Sequence, residues 1–241
     1  MYYMKNNLLL SLVFFFMFWI ARSQNPYNSG YLQPLLSNLE KQWPNNRTTN
    51  FVFHGHSVPS GYFNTPYVNT LQAYPHLTLC YLKERFPYAV INVITTSIGG
   101  EQSEQGALRF KDEVLTMQPD VLFIDYALND RSIGLDRARL AWVKMIEKAL
   151  AHNKKIILLT PSPDTTEDIL DNNSLLAKHA NQIRELALLY KIGLVDTYTA
   201  FKNRCLAGES LSSYMSQSNH PNEKGHKLIF EEIKKILLDI N

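Results

Sequence analysis

The sequence predicts an α/β protein: a three-layer α/β/α sandwich built on a five-stranded, mostly parallel sheet. Three observations point there. Short apolar runs alternate with longer amphipathic segments, the pattern of βα units joined by right-handed crossovers. The short runs are nearly continuous in aliphatic and β-branched residues, as in strands covered on both faces. The 218 residues that follow position 23 are too few for an eight-unit barrel, which takes about 250.

The strand candidates are Phe51-Val52-Phe53, Ala89 to Ile94, Val121 to Ile124, Lys155 to Thr160 and Ile192 to Asp196. Pro161 ends the fourth. Helix-period segments lie between them at about 67–85, 103–117, 135–152 and 173–190. A last one, Glu223 to Ile240, places Leu228, Ile229, Ile233, Ile236 and Leu237 on one face. Before the first strand, residues 24–49 are rich in Asn, Pro and Ser. They read as an irregular lead-in with one short helix near Pro34–Lys41, which leaves a domain over 50–241.

Residues 1–23 read as an export signal. Lys5 supplies a positive start, Leu8 to Ile20 is an apolar run broken only by Ser11, and Ala21-Arg22-Ser23 places small residues for a cut after Ser23. An uncleaved N-terminal anchor is the alternative reading, although the run is short for a membrane span of about 20 residues. Lys5 and Arg22 leave with it, so the remainder carries 22 basic and 22 acidic residues. A neutral chain without a basic block does not suit nucleic acid or anionic lipid as a partner. The location expected is secreted or periplasmic, with no stable membrane insertion once the signal is gone. Two cysteines, Cys80 and Cys205, exclude a disulfide framework and a multi-cysteine zinc module. Whether they pair is open. Asn46-Arg47-Thr48 and Asn172-Asn173-Ser174 are glycosylation sequons if the host glycosylates.

In open α/β sheets ligands sit at the carboxyl ends of the strands, so the chemistry is sought there. His54-Gly55-His56-Ser57-Val58-Pro59 follows the first strand. Pro59 breaks the Gly-x-Ser-x-Gly pattern, and taken alone Ser57 reads first as a helix cap or turn residue and second as a nucleophile. Ser97-Ile98-Gly99-Gly100-Glu101 follows the second strand; its glycines let a backbone approach a ligand and expose N–H groups. Asp125-Tyr126-Ala127-Leu128-Asn129-Asp130 follows the third, and Asn129 can donate its amide to an oxyanion or cap a helix. His220-Pro221-Asn222 opens the final helix and offers a general base.

The order Ser, Gly, Asn, His, each at a strand end or in the last loop, resembles the SGNH (GDSL-type) hydrolases from Phe51 to about Ile240. The resemblance implies a flavodoxin-like sandwich and an esterase. Ser57 would be the nucleophile and His220 the base. The N–H groups of Ser57 and Gly100 and the Asn129 amide would form the oxyanion hole, with His56 and Asp130 in support and no cofactor. The sequence departs from the family pattern at three places. His56 stands where the first block has Asp, Ala127 where the third has Gly, and Gln217 where the fifth has Asp three residues before His. Gln217 can orient His220 through its amide oxygen, as can a main-chain carbonyl.

Ester hydrolysis through an acyl-enzyme on Ser57 is the favoured reading, with a small-molecule or glycan ester carrying a short acyl group as substrate. A non-catalytic member binding glycan or lipid is the second, motivated by Gln217. The third is a metal-dependent hydrolase using the H-x-H pair His54 and His56, for which strands 4 and 5 offer only Asp164 and Asp196 as further ligands. Tyr62, Phe63, Tyr67 and Tyr126 either wall an acyl or sugar pocket or cover the sheet edge. His76, His152, His179 and His226 read as surface or core residues.

Overall fold

The computed structural model describes residues 28–238. The signal reading of 1–23, the start of the lead-in and the last residues of the final helix lie outside the described residues. Five strands form one parallel sheet: β1 (Thr48–Gly55), β2 (Val90–Thr95), β3 (Val121–Asp125), β4 (Lys155–Leu159) and β5 (Gly193–Val195), in the order β2-β1-β3-β4-β5. The chain adds β2 on one side of β1 and then crosses to add β3 on the other. The strand order therefore reverses at β1, and a crevice opens at the carboxyl ends of β1 and β3.

Strand period decides which residues enter which layer. Phe51, Phe53, Val121, Phe123, Ile157, Leu159 and Val195 face one side, where α1 (Gln33–Leu39), α3 (Tyr74–Arg85), α7 (Thr197–Leu206) and α8 (Glu223–Leu238) cover them. Register places Phe53 opposite Phe123, and their rings stack at 4.3 Å. Val52, Leu122, Ile124, Ile156, Leu158 and Leu194 face the other side under α4 (Ser103–Arg109), α5 (Leu135–Ala151) and α6 (Leu175–Tyr190). The helices present apolar stripes to match. In α5 these are Ala138, Ala141, Trp142, Met145, Ile146 and Ala149, three or four residues apart and all buried.

The structure refines several sequence boundaries. The lead-in is part of the core: Leu32, Leu35, Leu36 and Leu39 are buried, and β1 already begins at Thr48. The segment 103–117 is not one α-helix but α4 followed by a π turn, Phe110–Val114, and a 3₁₀ turn, Leu115–Met117. Helix α3 begins only at Tyr74, after a 3₁₀ turn at Thr70–Gln72. Three further elements carry no apolar period long enough to be read: α2 (Ser57–Ser60), α7, and the antiparallel hairpin β6 (Met215–Gln217) with β7 (His220–Pro221). Cys80 and Cys205 are free thiols. No helix among the described residues is long and apolar enough to cross a membrane.

Candidate active site

Strand β1 ends at Gly55, where it lies close against the Asp125 end of β3. A side chain at that position would clash with the Asp125 carbonyl oxygen, so only glycine fits. The chain then turns into α2. His56 caps it, its Nδ1 accepting from the Val58 N–H at 3.3 Å, and Ser57 is the first helical residue. Ser57 is 7% exposed, buried apart from the face the crevice leaves open.

His220 reaches the same point from β7. Its Nε2 lies 2.9 Å from Ser57 Oγ, across 163 positions of sequence. Its Nδ1 lies 2.8 Å from the Phe63 carbonyl oxygen. That oxygen can only accept, so Nδ1 carries the proton and Nε2 presents its lone pair to the serine hydroxyl. Burial lowers the His220 pKa below its ordinary value of 6.5; the Phe63 carbonyl works in the opposite direction, and His56 adds to the lowering. The imidazole is thus neutral at pH 7, as a base must be.

Gln217 does not orient His220. Its Oε1 accepts from the Thr65 N–H at 2.9 Å, and its Nε2 donates to Asn219 Oδ1 at 2.9 Å. The alternation of β6 carries the amide to the 61–69 turn rather than to the ring. That turn is closed on itself by Phe63 N–H to Tyr67 O at 3.0 Å and Asn69 N–H to Gly61 O at 2.8 Å. Gln217 therefore fixes the loop that presents Phe63 O, and a main-chain carbonyl holds the imidazole.

The second and third blocks are tied to the first by hydrogen bonds. The Ile98 N–H donates to Gly55 O at 3.0 Å, which lays the Gly99-Gly100 turn beside the serine turn. Gly100 has φ +79°, a left-handed conformation that favours glycine, with no atom within 4 Å of where a side chain would stand. Asn129 donates one amide hydrogen to Glu101 O at 2.9 Å, joining the loop after β3 to that turn. Asp130 is fully buried; its oxygens accept from Ser103 N–H at 2.8 Å and Trp142 Nε1–H at 2.7 Å, and burial raises its pKa. It anchors α4 and α5 beneath the loops rather than touching Ser57.

The aromatic residues divide. The Tyr62 ring packs over Gly99, where a methyl would lie 3.3 Å from it, and its centroid is 6.0 Å from that of His220. It stands at the mouth of the crevice. Tyr67 is exposed, whereas Phe63 is buried and stacks on His226 at 5.0 Å. Tyr126 does not wall a pocket: it is fully buried, and its hydroxyl donates to Glu101 Oε2 at 2.7 Å while lying 3.2 Å from His54 Nε2.

The H-x-H pair does not converge on a common point. His54 meets Thr96 Oγ1 through Nδ1 at 3.0 Å and Gly106 O through Nε2 at 3.2 Å, and burial followed by the nearby Arg109 charge lowers its pKa to about 3. His56 turns instead to Ser57 and Asp125. Among the described residues no group of three or more His, Cys, Asp or Glu side chains is placed to hold a metal. Asp196 is taken by Arg184, and Asp164 by Arg131. The residues that sequence reasoning missed are Phe63, whose contribution is a carbonyl and so leaves no trace in residue type, and Asp125, a carboxylate at the very end of β3.

The model of the GDSL-like lipase/acylhydrolase family matches residues 53–228, well over half of the chain. The chain belongs to this family. The GDSL-like fold is shared with a two-domain esterase active on acetylated mannans, with a TM-score of 0.73, 19% identity and coverage of 89% of this chain and 53% of that one. It is shared also with Axe2, an acetylxylan esterase from Geobacillus stearothermophilus, with a TM-score of 0.68, 18% identity and coverage of 78% and 94%. At these identities the likeness is one of fold. An uncharacterized lipoprotein of Bacillus subtilis (strain 168), YqeF, is 33% identical over 81 residues, which are 30% of this chain and 33% of the lipoprotein. The chain thus spans about half of the mannan esterase and matches a third of the lipoprotein.

Proposed function

We propose that this chain is an exported serine esterase that removes short acyl groups, acetyl on a glycan foremost, through an acyl-enzyme on Ser57 with His220 as general base. The observation that carries the proposal is the 2.9 Å approach of His220 Nε2 to Ser57 Oγ with Nδ1 committed to Phe63 O. His220 takes the serine proton as Oγ attacks the ester carbonyl. The developing oxyanion is received by the Ser57 and Gly100 N–H groups and the Asn129 amide, each worth on the order of 10²–10³ in rate. The tetrahedral species collapses, His220 returns the proton to the departing alcohol, and water attacks the acyl-enzyme by the same route.

Family membership and the esterase neighbours support the ester as substrate. The acetylated mannan and the acetylxylan that those neighbours act on support a glycan. The apolar run and small residues ahead of position 24, together with the lipoprotein relative, support export. Hydrolysis of p-nitrophenyl acetate by the parent, with Ser57→Ala and His220→Ala each slower by about 10⁴-fold or more, is the expected result. Equal hydrolysis by parent and Ser57→Ala would remove Ser57 from the mechanism. A parent that neither turns over nor takes up a fluorophosphonate, yet binds an acetylated oligosaccharide, would make the chain a binding protein.

A further inference from the structure

Ser57 has a second imidazole beside it, for which the mechanism above has no use. His56 is fully buried, and its Nδ1 lies 3.4 Å from Ser57 Oγ. The same nitrogen accepts the Val58 N–H that starts α2, so it is unprotonated and the ring proton sits on Nε2. Nε2 faces Asp125 Oδ1 at 3.4 Å. Neither atom has a hydrogen-bond partner within ordinary reach among the described residues, and folded proteins rarely leave two such groups buried and aimed at each other without a reason. Behind them, Asp125 Oδ2 accepts from the Tyr74 hydroxyl at 2.9 Å, and Tyr74 is fully buried. Gly55 makes the arrangement possible by letting β1 and β3 approach. A line of groups therefore runs Tyr74, Asp125, His56, Ser57, and every member ahead of the serine is sealed from water.

We propose that His56 is a positioning residue for the nucleophile, and that Asp125 and Tyr74 hold its imidazole in the required tautomer. This rests on Ser57 being the nucleophile. Asp125 Oδ1 faces Nε2 and the Val58 N–H faces Nδ1, which together keep the His56 proton on Nε2. Nδ1 then accepts from the Val58 N–H, which sets the α2 turn that carries Ser57. The serine oxygen lies between two imidazole nitrogens, His220 Nε2 at 2.9 Å and His56 Nδ1 at 3.4 Å, and His56 acts on it through the turn. Its single proton goes to His220, the nearer. His56 neither gains nor loses a proton in the cycle; its contribution is that Oγ stays aimed at the substrate carbonyl, and a displacement of about 1 Å there is enough to cost roughly 10²-fold in rate.

Two amide replacements separate this role from mere packing. Asparagine places its oxygen where Nδ1 stands and is a good helix cap; glutamine reaches toward Asp125 and leaves the Nδ1 position without an acceptor. His56→Asn is expected to keep kcat on p-nitrophenyl acetate within about threefold, whereas His56→Gln loses roughly 30- to 100-fold in kcat with KM unchanged. The rate of fluorophosphonate labelling, counted per folded molecule, falls in parallel. Tyr74→Phe, one step further back, loses several-fold in kcat alone. The proposal is overturned if His56→Asn is folded and as slow as His56→Gln, if both match the parent, or if the losses fall on KM. Ser57→Ala serves as the control for the underlying reading: if it is inactive while the His56 pair behaves alike, the esterase assignment stands and only the positioning role falls.

Discussion

The third member of the proposed triad is a peptide carbonyl, and its strength depends on how firmly that peptide is held. Phe63 O accepts from His220 Nδ1, and the loop that carries it is clamped by Gln217 Oε1 on the Thr65 N–H. Putting the family's usual acid back is therefore not expected to help. Gln217→Asp shortens the side chain and breaks both the Thr65 and Asn219 contacts without meeting the ring. A kcat reduced by roughly tenfold is expected, and a rise in turnover would show that residue 217 reaches His220 after all. The carbonyl also bears on pH. Burial lowers the His220 pKa, and among the described residues the ring bonds to Phe63 O and Ser57 Oγ and to no carboxylate that would raise it. The base must be neutral, so activity is lost as pH falls through that lowered value. The acidic limb of kcat/KM is expected to have its midpoint below 6.5, the ordinary histidine value. A midpoint above 6.5 would mean that the imidazolium is stabilised by a group other than Phe63 O.

At the scale of the elements, Asp130 is the joint between the loops and the helices beneath them. It joins the first turn of α4, through Ser103 N–H, to the α5 indole of Trp142. The same α4 follows the Gly99-Gly100 turn, so loosening it loosens a proposed oxyanion donor. An Asp130→Asn amide cannot accept from both donors at once. It leaves one buried N–H unmet, at about 1–3 kcal/mol. The urea midpoint should fall with an unchanged m-value, accompanied by a loss in kcat; a variant as stable as the parent would make the anchor dispensable. This joint was visible in the sequence only as the Asp after Asn129. The five strands and the helices α5, α6 and α8 were legible because their apolar periods are long and regular. Helix α7 was not, since its buried positions Thr197, Tyr198, Ala200 and Phe201 mix polar and apolar types. The break after α4 was hidden by continued apolar spacing through Phe110 and Val114, which are buried in a π turn. Ser57 and His220 were legible as types in order, while Phe63 O was not, because a backbone atom is the same at every residue.

For the molecule as a whole, the alternation of strands and helices determined the sandwich, and the order of the sheet determined where the four blocks meet. What alternation does not convey is how many histidines the two cores enclose. His54 and His226 are completely buried, and burial lowers both to about 3; for His54 the Arg109 charge adds to it, for His226 the neighbouring His220. His179 is lowered to about 4 by burial and then by Arg131. In the unfolded chain all three titrate near 6.5. Below that pH the unfolded state binds protons that the folded state refuses, so stability rises with pH and is lost as pH falls from 6.5 toward 3–4. At pH 5, His54 and His226 should each have lost the fold about 2 kcal/mol relative to pH 8. The carboxylates lowered by ion pairs, Asp164 and Asp196, act in a separate window. Their stabilisation is complete above the ordinary carboxylate range and disappears only below about pH 4. The decline between pH 6.5 and 5 thus belongs to the histidines. Replacing one of them isolates its share: His226→Phe keeps a ring stacked on Phe63 while removing the titrating group. The slope of unfolding free energy against pH, from urea titrations between pH 5 and 6.5, should flatten by about one proton equivalent in that variant. An unchanged slope would mean that His226 takes up its proton without unfolding, and that the core beneath α8 tolerates a charge its burial argues against.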